Sequence, residues 1–278
     1  MSRPNSAAEG YAVINTDERF AVLTEVRRVW TIGAVHADAE RLRTVHKELE
    51  VRFELGDRLV YLGNYLGGGG SIVDTLDEMT AFRRRLLVPG MEPEDVVYLR
   101  GTQEEMWHKL LQIQFATAPG EVMTWMLEQG IGATLAAYGA EPEDGQRRFR
   151  EGVVATTKWT GELRTAMQGH PGHADVLNDL KRAAYTEGGE LLFVHAGVDP
   201  DRPLTEQGDT FWWGSGYFAD IKQPFAGFKL VVRGLDRQKR GAAFTDHTAS
   251  IDGGCGFGGS LIAACFALDG TIRDRIEV

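Results

Sequence analysis

Cysteine is almost absent: Cys255 and Cys265 are the only two in 278 residues, too few for a disulfide framework. Cys265 sits in the apolar run Leu261-Ile262-Ala263-Ala264-Cys265-Phe266, so both read as buried thiols without assigned chemistry. Long hydrophobic runs are absent too. The longest extends from Leu261 to Leu268, far short of the roughly 20 residues of a bilayer span, so no membrane partner is expected. Met1 to Gly10 lacks the apolar centre of a secretory signal, which makes the cytoplasm the expected location. There is no excess of positive charge. Thirty Lys and Arg stand against 40 Asp and Glu, a net charge of −10, which argues against a protein that tracks nucleic-acid phosphates. Arg83-Arg84-Arg85 and Arg147-Arg148 read as solvated helix faces. Internal repeats and low-complexity linkers are missing, and His46, His108, His170, His173 and His247 show no metal-ligand spacing.

What is present is an alternation of strands and helices in a chain that is 43% hydrophobic and 25% charged, enough for one large α/β domain. Arg28 to Ile32 reads as a strand ending at Gly33, followed by helical spacing from Ala37 to Val51. Asp57 to Leu62 is a second strand, leading through a glycine-rich loop into a helix from Ile72 to Leu87. Val96 to Leu99 is a third. From Glu104 to Glu187 the chain reads as mostly helical, with breaks at Pro119, Pro142 and Pro171. Short strands follow at Leu191 to Val194, Lys229 to Val232, Thr248 to Ile251, Leu261 to Leu268 and Ile272 to Val278, with a hairpin turn at Asp269-Gly270. The expected organisation is an N-terminal segment, 1–27, then a single domain, 28–278, with a helical insertion at about 104–187. Its fold class is α/β, two packed mixed β-sheets flanked by helices.

Five segments fall at strand ends: Gly33-Ala34-Val35-His36-Ala37, Gly63-Asn64-Tyr65-Leu66-Gly67-Gly68-Gly69, Gly101-Thr102-Gln103-Glu104-Glu105, Val194-His195-Ala196-Gly197 and Gly234-Leu235-Asp236. In order and spacing they resemble the GDxHG, GDxxDRG, GNHE, HAG and GH motifs of the calcineurin-like metallophosphoesterases, particularly bacterial Ser/Thr protein phosphatases and symmetrical diadenosine tetraphosphatases. Segments between them extend the likeness over about residues 28 to 270, including Leu55 to Gly63, Trp125 to Gly130 and Ile251-Asp252-Gly253-Gly254. The resemblance implies a four-layer sandwich. It also implies what the motif positions would do in a working enzyme, and only the fourth motif is intact.

One metal of such an enzyme is held at the positions of Ala34, His36 and Asn64. The second is held at Asn64, Thr102, His195 and Leu235. Ala34 and Asn64 replace both carboxylates that would offset the repulsion between two divalent cations. The general acid corresponds to Gln103, whose amide has no titratable proton. The residue that orients the acid corresponds to Gly67, and the phosphate-clamping arginine to Gly68, which offers no guanidinium fork. No catalytic residue, metal or cofactor is therefore assigned. His36, Asn64 and His195 are the remaining atoms that could contact a ligand or, weakly, a metal.

The bland readings of these residues stand beside the functional ones. His36 and His195 read equally as hydrogen-bonded structural histidines at strand tips. Glu104 and Glu105 sit at a helix start where acidic groups complement the dipole, and Thr102 reads as an N-cap. Asp236 reads as an exposed loop charge. Arg233, Arg237, Lys239 and Arg240 bring positive charge to the pocket rim, and Arg233 is added to the ligand-binding candidates. Trp212 and Trp213 read as core. The expected function is that of a catalytically inactive phosphoesterase-fold protein, a pseudophosphatase, with a protein or small anionic partner. The alternative is a phosphate-ester hydrolase with an altered or weak metal site on His36, Asn64 and His195, and a third reading is a purely structural subunit.

Overall fold

The computed structural model describes residues 17–87 and 90–278, so the Met1 to Gly10 reading and most of segment 1–27 lie outside the described residues. The strands are β1 (Phe20–Leu23), β2 (Arg28–Ile32), β3 (Asp57–Tyr61), β4 (Val96–Tyr98), β5 (Ala183–Thr186), β6 (Leu191–Val194), β7 (Leu230–Arg233), β8 (Ala243–Phe244), β9 (Thr248–Ser250), β10 (Ile262–Ala267) and β11 (Ile272–Glu277). The helices are α1 (Ala39–Arg52), α2 (Ile72–Leu86), α3 (Thr102–Leu110), α4 (Pro119–Glu128), α5 (Gly132–Ala137), α6 (Pro142–Glu151), α7 (Val153–Gln168), α8 (His173–Asn178) and α9 (Thr210–Trp213). They build a six-stranded sheet in the order β1-β5-β6-β7-β9-β8 and a five-stranded sheet in the order β11-β10-β2-β3-β4. Both sheets are mixed: β2, β3 and β4 run parallel while β10 and β11 are antiparallel.

Strand alternation explains the layering. On β2, β3 and β4, Val29, Val60 and Val97 point between the sheets and meet Leu191, Phe193 and Val232 of the facing sheet. Trp30, Tyr61 and Tyr98 point the other way into a core shared with α1 and α2, through Leu42, Leu49 and Phe82. The central strands are thus buried on both faces, which is why they read as near-continuous apolar runs. The opposite face of the six-stranded sheet packs against Phe211, Trp212, Phe218 and Phe225. That outer layer is thin, made of α9 and short turns rather than long helices.

α1 starts two residues later than its periodicity suggests, because Asp38 caps it by accepting from the Arg41 N–H at 3.0 Å while His36 and Ala37 hold left-handed backbone. The segment from 104 to 187 is not helical to its end. Ala183–Thr186 is β5, parallel to β1 and antiparallel to β6. Its two alanines carry little strand propensity, and complete burial between neighbouring strands overrides that. β1 itself comes from the segment that the sequence sets ahead of the domain.

The strand tips of the two sheets come very close. A Cβ on Gly234, just after β7, would run into Leu62 Cβ just after β3. Gly216, with ordinary helical dihedrals, has open space where its Cβ would be. We expect Gly234→Ala to destabilise by ~1–3 kcal/mol through forced separation of the tips, and Gly216→Ala to be neutral or slightly stabilising. Urea unfolding of the two variants checks this, and equal stabilities would show that the sheets are not in register at their tips.

Candidate functional site

Every motif segment leaves the carboxyl end of a strand, and loops from both sheets converge there. The junction is organised by Glu104. This side chain is buried, and its carboxylate accepts from the backbone N–H groups of Asn64, Tyr65 and Gly101 at 2.8 Å and of Leu66 at 2.9 Å. Burial raises the Glu104 carboxyl above its ordinary value, against the pull of the N–H donors. Glu104 therefore does what the sequence expects of an acid at a helix start, and also ties the loop after β3 to the loop after β4. Thr102 is not the N-cap. That position is Gly101, and the Thr102 hydroxyl lies 3.0 Å from the Trp212 carbonyl and 3.1 Å from His195 Nε2.

His195 is fully buried, with Nδ1 2.6 Å from the Leu62 carbonyl. A carbonyl only accepts, so Nδ1 carries the proton and Nε2 a lone pair, and the single Thr102 proton serves either that lone pair or the Trp212 carbonyl. Burial first, then the charges of His36 and Arg237, depress the His195 imidazole to about 3. Asn64 holds left-handed backbone, its carbonyl accepts from the His36 N–H at 2.6 Å, and its Oδ1 accepts from the Gln103 N–H at 3.1 Å. Gln103 donates from Nε2 to the Gln129 carbonyl at 2.8 Å. A Cβ at Gly67 would run into the Gln103 side chain. Gln103 thus occupies space that any larger residue at position 67 would claim. His36 is buried against Phe257, ring centroids 4.9 Å apart, and its Nε2 has no partner among the described residues. Burial and the Lys239 charge push its imidazole down to about 4.

His36, Asn64, Thr102, Gln103, Gln129 and Phe257 line a cavity of about 230 Å³, with Leu235, Asp236, Asp252 and two cations at its edge, Arg237 and Lys239; His195 lies buried beside Thr102 and outside that lining. Arg237 lies 4.8 Å from the Trp213 ring centroid, and Lys239 Nζ lies 3.9 Å from that of Phe257. Neither has a carboxylate partner among the described residues. The sequence pointed to the cations but missed Phe257 and Gln129. A lone aromatic inside Cys255-Gly256-Phe257-Gly258-Gly259 was the available signal for the first, whereas a backbone carbonyl leaves none.

Arg233 departs from its expected place. It is buried and faces a second cavity of about 350 Å³, not the one at His36. It bonds Ser250 Oγ and the Ser215 carbonyl, both at 3.1 Å, and pairs with Asp236 at 2.9 Å. Its guanidinium lies 4.2 Å from the Phe218 ring centroid, and each of its three nitrogens already has a protein partner. Asp236 is likewise no exposed loop charge. It is buried between Arg233 and Arg240, and its N–H donates to Asp252 at 2.7 Å. His46, bonded to Glu78 and Tyr61, and His173, bonded to Asp77 and Tyr138, serve packing away from the cavity.

The donor set does not fit a binuclear metal centre. Ala34 and Leu235 have no ligand atom, Asn64 Oδ1 already accepts from the Gln103 N–H, and no group of three or more His, Cys, Asp or Glu among the described residues could hold a metal ion. No family model matches the chain, and no curated protein does. Solved structures do. A provisionally assigned diadenosine tetraphosphatase aligns over 93% of this chain and 96% of its own, at 18% identity and a TM-score of 0.53. The cold-active protein-tyrosine phosphatase of a psychrophilic Shewanella species aligns over 94% and 84%, at 12% identity and a TM-score of 0.54. Identities this low establish the fold alone, and it is the fold of the calcineurin-like metallophosphoesterases.

Two outcomes are expected. Glu104→Ala strands four buried N–H donors and should cost at least ~3 kcal/mol, whereas Glu48→Ala, which removes an exposed pair with Arg52, should cost under ~1 kcal/mol. Comparable losses in urea unfolding would remove Glu104 from its central place. His36 and His195 stay uncharged when folded down to about pH 4 and pH 3, while unfolded histidines take up protons near pH 6.5. Their contribution is complete above pH 6.5 and is lost as pH falls towards those values, at ~1.4 kcal/mol per pH unit for each. The stability of His36→Asn should therefore fall less steeply below pH 6.5 than that of the parent protein, and an identical slope would show that His36 is protonated when folded.

Proposed function

We propose that this chain, built on the metallophosphoesterase fold, binds an anionic group in the cavity without hydrolysing phosphate esters, as a pseudophosphatase with a binding or regulatory role. The observation that carries this reading is the donor set around the cavity. Of the motif positions only His36 and His195 keep an imidazole, His195 is buried outside the lining, and Ala34, Asn64 and Leu235 offer neither carboxylate nor imidazole. The neighbouring replacements point the same way. Gln103 has no proton to give a leaving alkoxide, and its side chain fills the space beside Gly67. What remains is a cavity of polar groups with Arg237 and Lys239 at its edge beside two carboxylates, Asp252 and the Asp236 that already pairs with Arg233 and Arg240, in a protein whose net charge is −10. Two cations without carboxylate partners suit a dianion such as a phosphate monoester group, free or on a protein.

The weak-hydrolase alternative has one observation in its favour, the unpartnered His36 Nε2, and the same experiment separates the two. Protein purified without chelator and dialysed against manganese should retain far less than one equivalent. Hydrolysis of an aryl phosphate, diadenosine tetraphosphate or a phosphopeptide should match buffer from about pH 5 to 9, a range wide enough to catch a perturbed histidine. Inorganic phosphate should bind by titration calorimetry, about tenfold more weakly in Lys239→Ala. Manganese-dependent turnover lost in His195→Ala would overturn the pseudophosphatase reading, and phosphate binding unaffected by Lys239→Ala would overturn the anion site.

A further inference from the structure

An apolar groove of about 580 Å³ lies on the helical insertion, walled by Ile113, Ala116, Val122, Trp125 and Met126. Val122, Trp125 and Met126 share one face of α4 by their spacing of three and four residues. Trp125 remains 42% exposed and Phe115, on the turn that carries Ile113, 81%, unusual for side chains whose burial is so favourable. The groove is connected to the cavity. The Trp125 ring packs on that of Trp213 with centroids 5.4 Å apart, and Trp213 in turn carries the Arg237 guanidinium at 4.8 Å. A continuous line of side chains thus runs from apolar groove to cationic cavity, and roughly three residues of extended polypeptide would cover that distance.

We infer that groove and cavity form one recognition surface for a polypeptide segment carrying a phosphorylated side chain roughly three residues from an apolar one. The inference rests on the anion-binding reading of the cavity and adds the class of partner. Charge complementarity selects the occupant. The two unpaired cations stand at one end of the surface only, so an apolar partner without an anion leaves them unused, and a free anion leaves the groove open. The second cavity, at Arg233, is not joined to the groove in this way, because the ring contact of Trp213 leads to Arg237 while the Arg233 guanidinium rests on Phe218.

The test uses the full chain and fluorescein-labelled ten-residue peptides in a glycine-serine background. Each has one phosphoserine with a leucine three residues before or after it; the controls lack the phosphate or replace leucine by alanine. By fluorescence anisotropy at least one leucine phosphopeptide should bind about tenfold more tightly than both of its controls. Trp125→Ala, or Val122→Gln if the first variant is poorly folded by circular dichroism, should remove the leucine advantage and leave competition by inorganic phosphate unchanged. Arg237→Ala should weaken phosphate and phosphopeptide alike. If phosphopeptides bind without preference for leucine, the groove proposal is overturned while the anion site stands. If the unphosphorylated leucine peptides bind as well, or if sedimentation shows a dimer that Trp125→Ala dissolves, the occupant is a plain apolar segment or a second copy and the proposal fails. Absence of binding by any peptide, with inorganic phosphate still bound, overturns it as well, whereas loss of phosphate binding too would overturn the reading on which it rests.

Discussion

Four backbone N–H groups from two strand tips converge on the carboxylate of Glu104, and the geometry of the whole cavity follows from that bond set. The donors belong to Asn64, Tyr65, Leu66 and Gly101, so the loops after β3 and β4 cannot move apart without exposing an anion or stranding buried donors. With the first loop held, the Asn64 carbonyl receives the His36 N–H, and with the second held, Thr102 and Gln103 are aimed at their partners. The loops at the strand tips are therefore held in one arrangement by a single carboxylate.

Within that arrangement the replaced positions support one another. Gln103 fits because residue 67 has no side chain, and it is fixed by the Gln129 carbonyl. Thr102 fits because its hydroxyl lies between the Trp212 carbonyl and His195 Nε2. Asn64 offers Oδ1 to the Gln103 N–H. Each neutral residue is bonded into the protein, whereas an isolated carboxylate restored at one of these positions would be buried without a compensating cation. Positive charge is confined to the rim, where Arg237 and Lys239 rest on aromatic rings and keep their charges at the solvent edge.

The positions of most strands and the two-sheet architecture could be read along the chain. Period-two and near-continuous apolar runs mark β2, β3, β6 and β10, and glycines mark the tips where backbones approach. Short elements were less legible. β5 consists of Ala183 to Thr186 with little intrinsic strand preference, β1 is an edge strand whose pairing with β5 is entirely long-range, and β8 is an exposed two-residue edge strand. Arg233 and Asp236 were misplaced for a related reason, since a charged side chain next to a glycine motif reads as loop surface until its buried partner is known.

The sequence by itself determined which atoms the site lacks. Ala34, Gly67, Gly68 and Leu235 cannot supply a carboxylate, guanidinium or imidazole in any conformation. Tertiary structure alone decided what the remaining atoms do. It brought Leu62 and Thr102 to either side of one imidazole, placed the Arg233 guanidinium in a different cavity from His36, and joined Trp125 to Arg237 through Trp213. Composition is a local property carried by each residue, whereas hydrogen-bond partnership and burial arise between residues far apart in the chain and exist only once the two sheets have closed.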